Sequence, residues 1–197
     1  MKSPSNKRPL TVVRSVVSLE DIANALRISS TDALEKFQDP RVASWFAEIW
    51  GETLFGFLRY PSSNNPGSDG KITLGPIGRF EISVRCFNRG NIKFQKSKFI
   101  GSGRTATPND LIESVEAVER VVIVDLREFP ILYFYPIDSK DILREIRQNR
   151  LTATGLTPKR FDALVSANYD VTSVEIEIPI PEPASATQQA IHSGSGD

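Results

Sequence analysis

Histidine is almost absent from this 197-residue chain: its single copy, His192, stands in a polar C-terminal stretch. Ser–His–Asp and Cys–His catalysis, histidine proton relays and histidine-containing zinc sites each need an imidazole held in place, so the folded part is expected to use none of them. Cysteine is as scarce, and Cys86 alone excludes an internal disulfide and Cys-rich metal clusters. No apolar run approaches the roughly 18 residues of a membrane span. The opening Met1-Lys2-Ser3-Pro4-Ser5-Asn6-Lys7-Arg8-Pro9 has no signal-peptide-like apolar stretch behind it. These absences predict a soluble, cytoplasmic protein with no membrane partner. Net charge is missing too, because 24 basic side chains cancel 24 acidic ones. The chemistry left open is that of carboxylates, Lys, Arg, Ser/Thr and Tyr.

What is present is enough for one core, with 40% hydrophobic and 9% aromatic residues. Residues 1–17 read as a basic flexible arm, with Lys2, Lys7, Arg8 and Arg14 and no acid before Glu20. A single domain is expected over 18–180, and a disordered tail rich in Pro, Ala, Ser and Gly over 181–197. Ser18 is an N-cap signal, Ser30 or Thr31 a second, and Asp39-Pro40 a third. Val42, Trp45, Phe46, Ile49, Trp50, Leu54, Phe57 and Leu58 recur at helical spacing and predict a helix over about 41–58, with Glu48 and Glu52 on its flank. Pro61–Gly70 is a loop by composition. Beyond it, 71–74, 80–87 and 92–95 read as a three-stranded antiparallel meander. In the middle run Phe80, Ile82, Val84 and Cys86 face one way and Glu81, Ser83 and Arg85 the other. Thr107 or Asn109 caps a helix to about Arg120. Val121–Leu126 suits a strand buried on both faces, and Ile131–Ile137 is another strand. Ser139 caps a further helix, Thr157-Pro158 starts the last, and Val171–Ile180 alternates like an edge strand. The expected class is α/β (α+β), a mixed central sheet flanked by helices.

Two constellations could carry chemistry. Asp69, in the loop that opens the meander, and Glu81, on the polar face of the next strand, form a carboxylate pair. Such a pair can hold Mg²⁺ through hard oxygen ligands, and the ion can activate water against a phosphodiester. An Asp in Ser-Asp-Gly is also an ordinary turn residue, and a Glu on an alternating strand is often merely solvated. The second is a run of six cations without an acid: Arg85, Arg89, Lys93, Lys96, Lys98 and Arg104. Phe87, Phe94 and Phe99 are interleaved with them, and the run ends in Gly101-Ser102-Gly103-Arg104. This pattern suits a nucleic-acid phosphate backbone. Residues 161–197 carry the opposite bias, six acids and no Lys or Arg. Leu19 to Leu34 has the rough rhythm of a helix-turn-helix, but its second helix would present Asp32 and Glu35, so two packed helices explain it better. Cys86, on the apolar face, reads as an inert core thiol.

The order of these features resembles the PD-(D/E)XK, or restriction-endonuclease-like, superfamily over about 41–126: a glutamate-bearing helix, a loop Asp in Asn65-Pro66-Gly67-Ser68-Asp69-Gly70, the strand Glu81-Ile82-Ser83, a basic strand, a helix and a buried strand. The resemblance implies an αβββαβ core, Mg²⁺-dependent cleavage of DNA, Asp69 and Glu81 on the metal, and Glu48 or Glu52 as accessory helix acid. The family's lysine follows the second acid by two residues, where this chain has Ser83. Arg85, two residues further on the same face, or Lys93 on a neighbouring strand would have to supply the cation. The rival readings are a nucleic-acid-binding module on the same scaffold without catalysis, and an interaction domain that dimerises through the Ile131–Ile137 or Val171–Ile180 strand.

Overall fold

A computed structural model describes residues 7–60, 70–73, 79–94 and 106–177. Asp69, Lys96, Lys98, Phe99, Arg104 and the tail from 181 lie outside the described residues. The first element is a strand, β1 (Arg8–Val16). It was expected to belong to a flexible arm, and instead its Leu10, Val12 and Val13 are buried in the sheet. The cations that made it look like an arm are paired: Arg8 with Asp138 and Asp141, Arg14 with Glu175.

Three helices follow, each started by a side chain that accepts from a free first-turn amide. Ser18 caps α1 (Leu19–Leu26). Ser29, one residue before the expected cap, serves α2 (Ser30–Phe37). Asp39 caps α3 (Pro40–Phe55), with Pro40 in its first turn. α3 stops short of residue 58 because Gly56 adopts a left-handed φ of 62°. The chain then turns extended as β2 (Phe57–Arg59), and Leu58, counted in the helix stripe, is 74% exposed.

β3 (Gly70–Thr73) pairs antiparallel with β2 and with β4 (Arg79–Phe87). The meander exists, but its members are β2, β3 and β4. The expected third strand at 92–95 is not made over 92–94. There Ile92 forms an isolated bridge with Leu156, and both Ile92 and Phe94 are buried in the core. The reason is geometric: a strand has two edges, and those of β4 are taken by β3 and by β5 (Arg120–Asp125). Between β4 and β5 lies α4 (Pro108–Glu116), opened by a full capping box of Thr107 and Asp110. β5 runs parallel to β4, as a crossover through a helix allows.

β6 (Ile131–Asp138) leads into α5 (Ser139–Arg147). The cap of α5 is Asp138, whose carboxylate accepts from the Lys140 amide at 3.0 Å; Ser139, the expected cap, is the first helical residue. α6 (Pro158–Asn168), capped by Thr157, and β7 (Tyr169–Glu175) complete the described chain. The seven strands form one mixed sheet in the order β2-β3-β4-β5-β6-β1-β7, which puts the molecule in the α/β class. β6 is paired on both sides, by β5 and β1, so it offers no edge for a second copy. β7 stands at the border beside β1.

Each face of the sheet carries its own core. On one, α4, α5 and α6 pack with Leu111, Val115, Ile142, Ile146, Phe161 and Leu164 against β1, β5 and β6. On the other, α1, α2 and α3 cover Ile82, Val84, Val122, Val124 and Phe134, with Phe46 and Trp50 of α3 packed against them. Among the described residues no helix is long and apolar enough to cross a membrane.

Candidate functional site

β4 carries the acid that the sequence singles out, and its alternation is as expected. Phe80, Ile82, Val84 and Cys86 join the core beneath α1–α3, so Glu81, Ser83 and Arg85 point to the opposite face. Cys86 is a free thiol packed against that core.

Glu81 is half-buried and held from several sides. The Tyr60 hydroxyl donates to its carboxylate, lying 2.8 Å from Oε1 and 3.0 Å from Oε2. Its backbone N–H donates to the Glu119 carboxylate, and its carbonyl accepts from the Glu119 N–H at 2.9 Å. Glu119 occupies the residue before β5, so the parallel β4–β5 ladder itself delivers this second acid to Glu81. Tyr60 arrives from the opposite side, one residue past the end of β2. In the β3–β4 register Lys71 is the partner of Glu81, and Gly70 the partner of Ile82. Neither Tyr60 nor Glu119 has a signal in the sequence. A single tyrosine before a loop and a glutamate before an apolar strand are commonplace until the sheet brings them together.

The other expected site residues are placed less favourably. Ser83 is 2% exposed, beside Val121 of β5, so it does not meet a substrate at the surface. Arg85 is half-buried, and its Nη1 donates to the Val84 carbonyl at 2.7 Å. It stands four residue steps along the strand from Glu81, about 13 Å between Cα atoms at a rise of about 3.3 Å per residue. Lys93 is not on a strand beside β4. Its Nζ donates to the Thr154 carbonyl at 2.6 Å, and Asn91 donates to the same oxygen at 3.1 Å. Arg89 is exposed in the turn after β4. Phe87 and Phe94, interleaved with these cations, are core residues closed to solvent and not available to stack on bases. Glu48 and Glu52 ride on α3, which covers the face of β4 opposite to Glu81.

Among the described residues no three His, Cys, Asp or Glu side chains cluster as a metal site. Mg²⁺ needs oxygen ligands that converge, and the Glu119 carboxylate is turned to the Glu81 backbone N–H. That ion is commonly held by one or two carboxylates and completes its shell with water and substrate phosphate.

Among the described residues, the buried acids Asp125, Asp141 and Glu145 are held by protein partners. Asp141 accepts from Arg8, Arg144 and the Tyr169 hydroxyl. Burial, and then the bond to Asp141, push the Tyr169 hydroxyl well above its usual pKa. Asp125 is bridged to Asp162 by Arg127, whose guanidinium also lies over the Phe87 ring. Glu145 is gripped by Arg150 and Arg160. These networks tie distant elements together. Comparison of the chain with protein-family models, with curated proteins and with solved structures finds no match.

Proposed function

We propose that this protein is a Mg²⁺-dependent DNA nuclease on a restriction-endonuclease-like scaffold. Asp69 and Glu81 would hold the ion, and the basic stretch 85–104 the phosphate backbone. The observation that carries the reading is the order α3-β2-β3-β4-α4-β5, with β2, β3 and β4 antiparallel and β5 parallel to β4. In that order Glu81 sits on the third strand, and Asp69 immediately precedes the second in sequence. When bound, the ion supplies an activated water and offsets charge on the phosphate. Arg85, on the face of Glu81, binds phosphate as a fixed cation, since its guanidinium does not act as a proton acceptor.

Full-length protein should nick supercoiled DNA in Mg²⁺ or Mn²⁺, and Asp69→Ala and Glu81→Ala should each abolish nicking. Undiminished cutting by both variants would sink the assignment. The second reading is a DNA-binding module without catalysis. It is favoured by Ser83, which stands where the family has its lysine and is closed to solvent. It predicts salt-sensitive DNA binding and no cleavage in any metal.

A further inference from the structure

A second stretch without acids lies far from the first in sequence: residues 146–161 carry Arg147, Arg150, Lys159 and Arg160 and no Asp or Glu. The fold docks it on the turn after β4. Ile92 and Leu156 exchange two backbone hydrogen bonds, at 2.9 and 3.0 Å. The Thr154 carbonyl accepts from both Lys93 Nζ and the Asn91 side-chain amide. Arg89 and Lys159 each stand three residues from that bridge, within about 11 Å of it at about 3.8 Å per Cα step. Some of these charges have carboxylate partners and others do not. Arg147 pairs with Glu116, while Arg150 and Arg160 share the single carboxylate of Glu145, which leaves one positive charge over. Arg89, Lys93 and Lys159 are exposed, and among the described residues no carboxylate pairs with them. Lys159 also stands in the first turn of α6, which holds no acid and where the helix dipole disfavours a cation. Its charge therefore does not serve the stability of its own helix.

We infer that the turn after β4 (88–94), the loop 149–157 and the first turn of α6 form one surface for the phosphate backbone of duplex DNA, with Arg89, Lys93 and Lys159 as its cations. The role rests on the nucleic-acid reading above but not on an ion at Glu81. Double-stranded DNA carries one negative charge per about 1.7 Å of axis, so even about 10 Å of it presents several phosphates to such a cluster. The rest of the surface suits the same partner. Asn149, Thr152 and Thr154 are exposed, and hydroxyl and amide groups contact phosphates regularly beside Arg and Lys. Leu151 and Leu156 are buried, and no large apolar side chain is exposed in these segments. A protein partner would need an apolar or aromatic anchor there, whereas a DNA interface is polar and positive.

The test is fluorescence anisotropy of the full chain on a labelled duplex in EDTA, from low to physiological salt, with each variant checked by thermal melting. EDTA removes divalent ions, so the assay reads binding alone. Lys159→Ala should weaken binding about equally on unrelated sequences and flatten the salt slope by about 1. The double variant Arg89→Ala/Lys159→Ala should flatten it by about 2. Lys159→Arg keeps the charge and should bind as the wild type does. Lys159→Glu should bind worse than Lys159→Ala yet melt no lower than the wild type, since an acid suits a helix N-terminus. A merely structural Lys159 predicts the reverse, a lower melting temperature with unchanged affinity. Wild-type affinity and slope in both Lys159→Ala and Lys159→Glu overturn this surface and leave the nucleic-acid reading standing. Failure of the wild type to bind the duplex at low salt overturns both, whether or not it binds phosphatidylserine vesicles in its place.

Discussion

Gly155 has a φ of +101°, and a Cβ placed there would lie 2.3 Å from the Ile92 carbonyl oxygen. That carbonyl accepts from Leu156 at 3.0 Å in the bridge that seats the 92–94 segment, so neither side can yield cheaply. Gly155→Ala is expected to cost about 2 kcal/mol, the range of a residue forced into a disallowed and crowded conformation. Gly56 offers the control: its φ is +62° with nothing within 4 Å, so Gly56→Ala should cost only about 1 kcal/mol, from backbone conformation alone. Equal thermal shifts for the two would contradict the close approach at Ile92. Glu145 makes the second residue-scale case, at 1% exposure. Burial on its own would raise its pKa, but hydrogen bonds from Arg160 and Arg150 outweigh burial and hold the carboxyl below its ordinary range. A depressed pKa in the folded state contributes stability above the unfolded value and loses it as pH falls through the folded one. Glu145→Gln should therefore lower stability by about 2 kcal/mol at neutral pH. Melts should show the gap between variant and wild type closing as pH drops below about 4.3; a gap constant with pH would show that charge is not its origin. Such partnerships were not legible in the sequence. Glu145 meets Arg160 15 positions away, and Asp141 meets Arg8 133 positions away, distances over which only the finished fold selects a partner.

Among the elements, those whose cause is local could be read in advance, and those that compete for neighbours could not. Thr107 and Thr157 cap their helices because a hydroxyl three residues before a free amide is sufficient. β1 went unread because its apolar residues, Leu10, Val12 and Val13, do not keep strict alternation and stand among Pro9, Arg8 and Arg14. Its strand character comes from β6 and β7, which flank it. This gives a sharp contrast. Deletion of residues 1–17 would be silent if they were an arm. With β1 in the sheet, deletion strips a hydrogen-bonded neighbour from both β6 and β7 and removes the buried apolar side chains of Leu10, Val12 and Val13. Each large buried aliphatic is worth about 1.5–3 kcal/mol, and a domain's whole stability is about 5–15 kcal/mol. The truncated chain should show no cooperative urea transition by circular dichroism. A transition like that of the full chain would contradict the burial of β1. The misread meander has the same origin. Alternation at 92–95 has the look of a strand, but β4 had already spent both edges on β3 and β5, and periodicity does not report which edges are free.

On the scale of the whole molecule, neutrality is the sum of unlike regions, and the fold explains where each sign goes. Arg8, Arg14, Arg120, Arg127, Arg144, Arg147, Arg150 and Arg160 all pair with carboxylates, so much of the positive charge is consumed in holding elements together. In the 85–104 stretch, among the described residues, Lys93 donates to the carbonyl oxygen of Thr154. A carbonyl fixes the direction of an ammonium without cancelling its charge. Lys93, exposed and anchored in this way, presents a positive field to any polyanion that approaches the turn after β4. If DNA follows this stretch, its affinity should fall with salt by about 0.9 log units per log unit for each phosphate neutralised. The joint variant Lys93/Lys96/Lys98→Ala would then flatten the slope by up to about 3, measured by fluorescence anisotropy on one oligonucleotide from low to physiological salt. The triple variant should melt within a few degrees of wild type, because Lys93 gives up one exposed bond to Thr154 and no buried contact. An unchanged slope with weakened binding would move the DNA path away from this stretch. Binding that ignores ionic strength would count against both nucleic-acid readings at once, since a phosphate backbone cannot be held by cations without releasing its counterions.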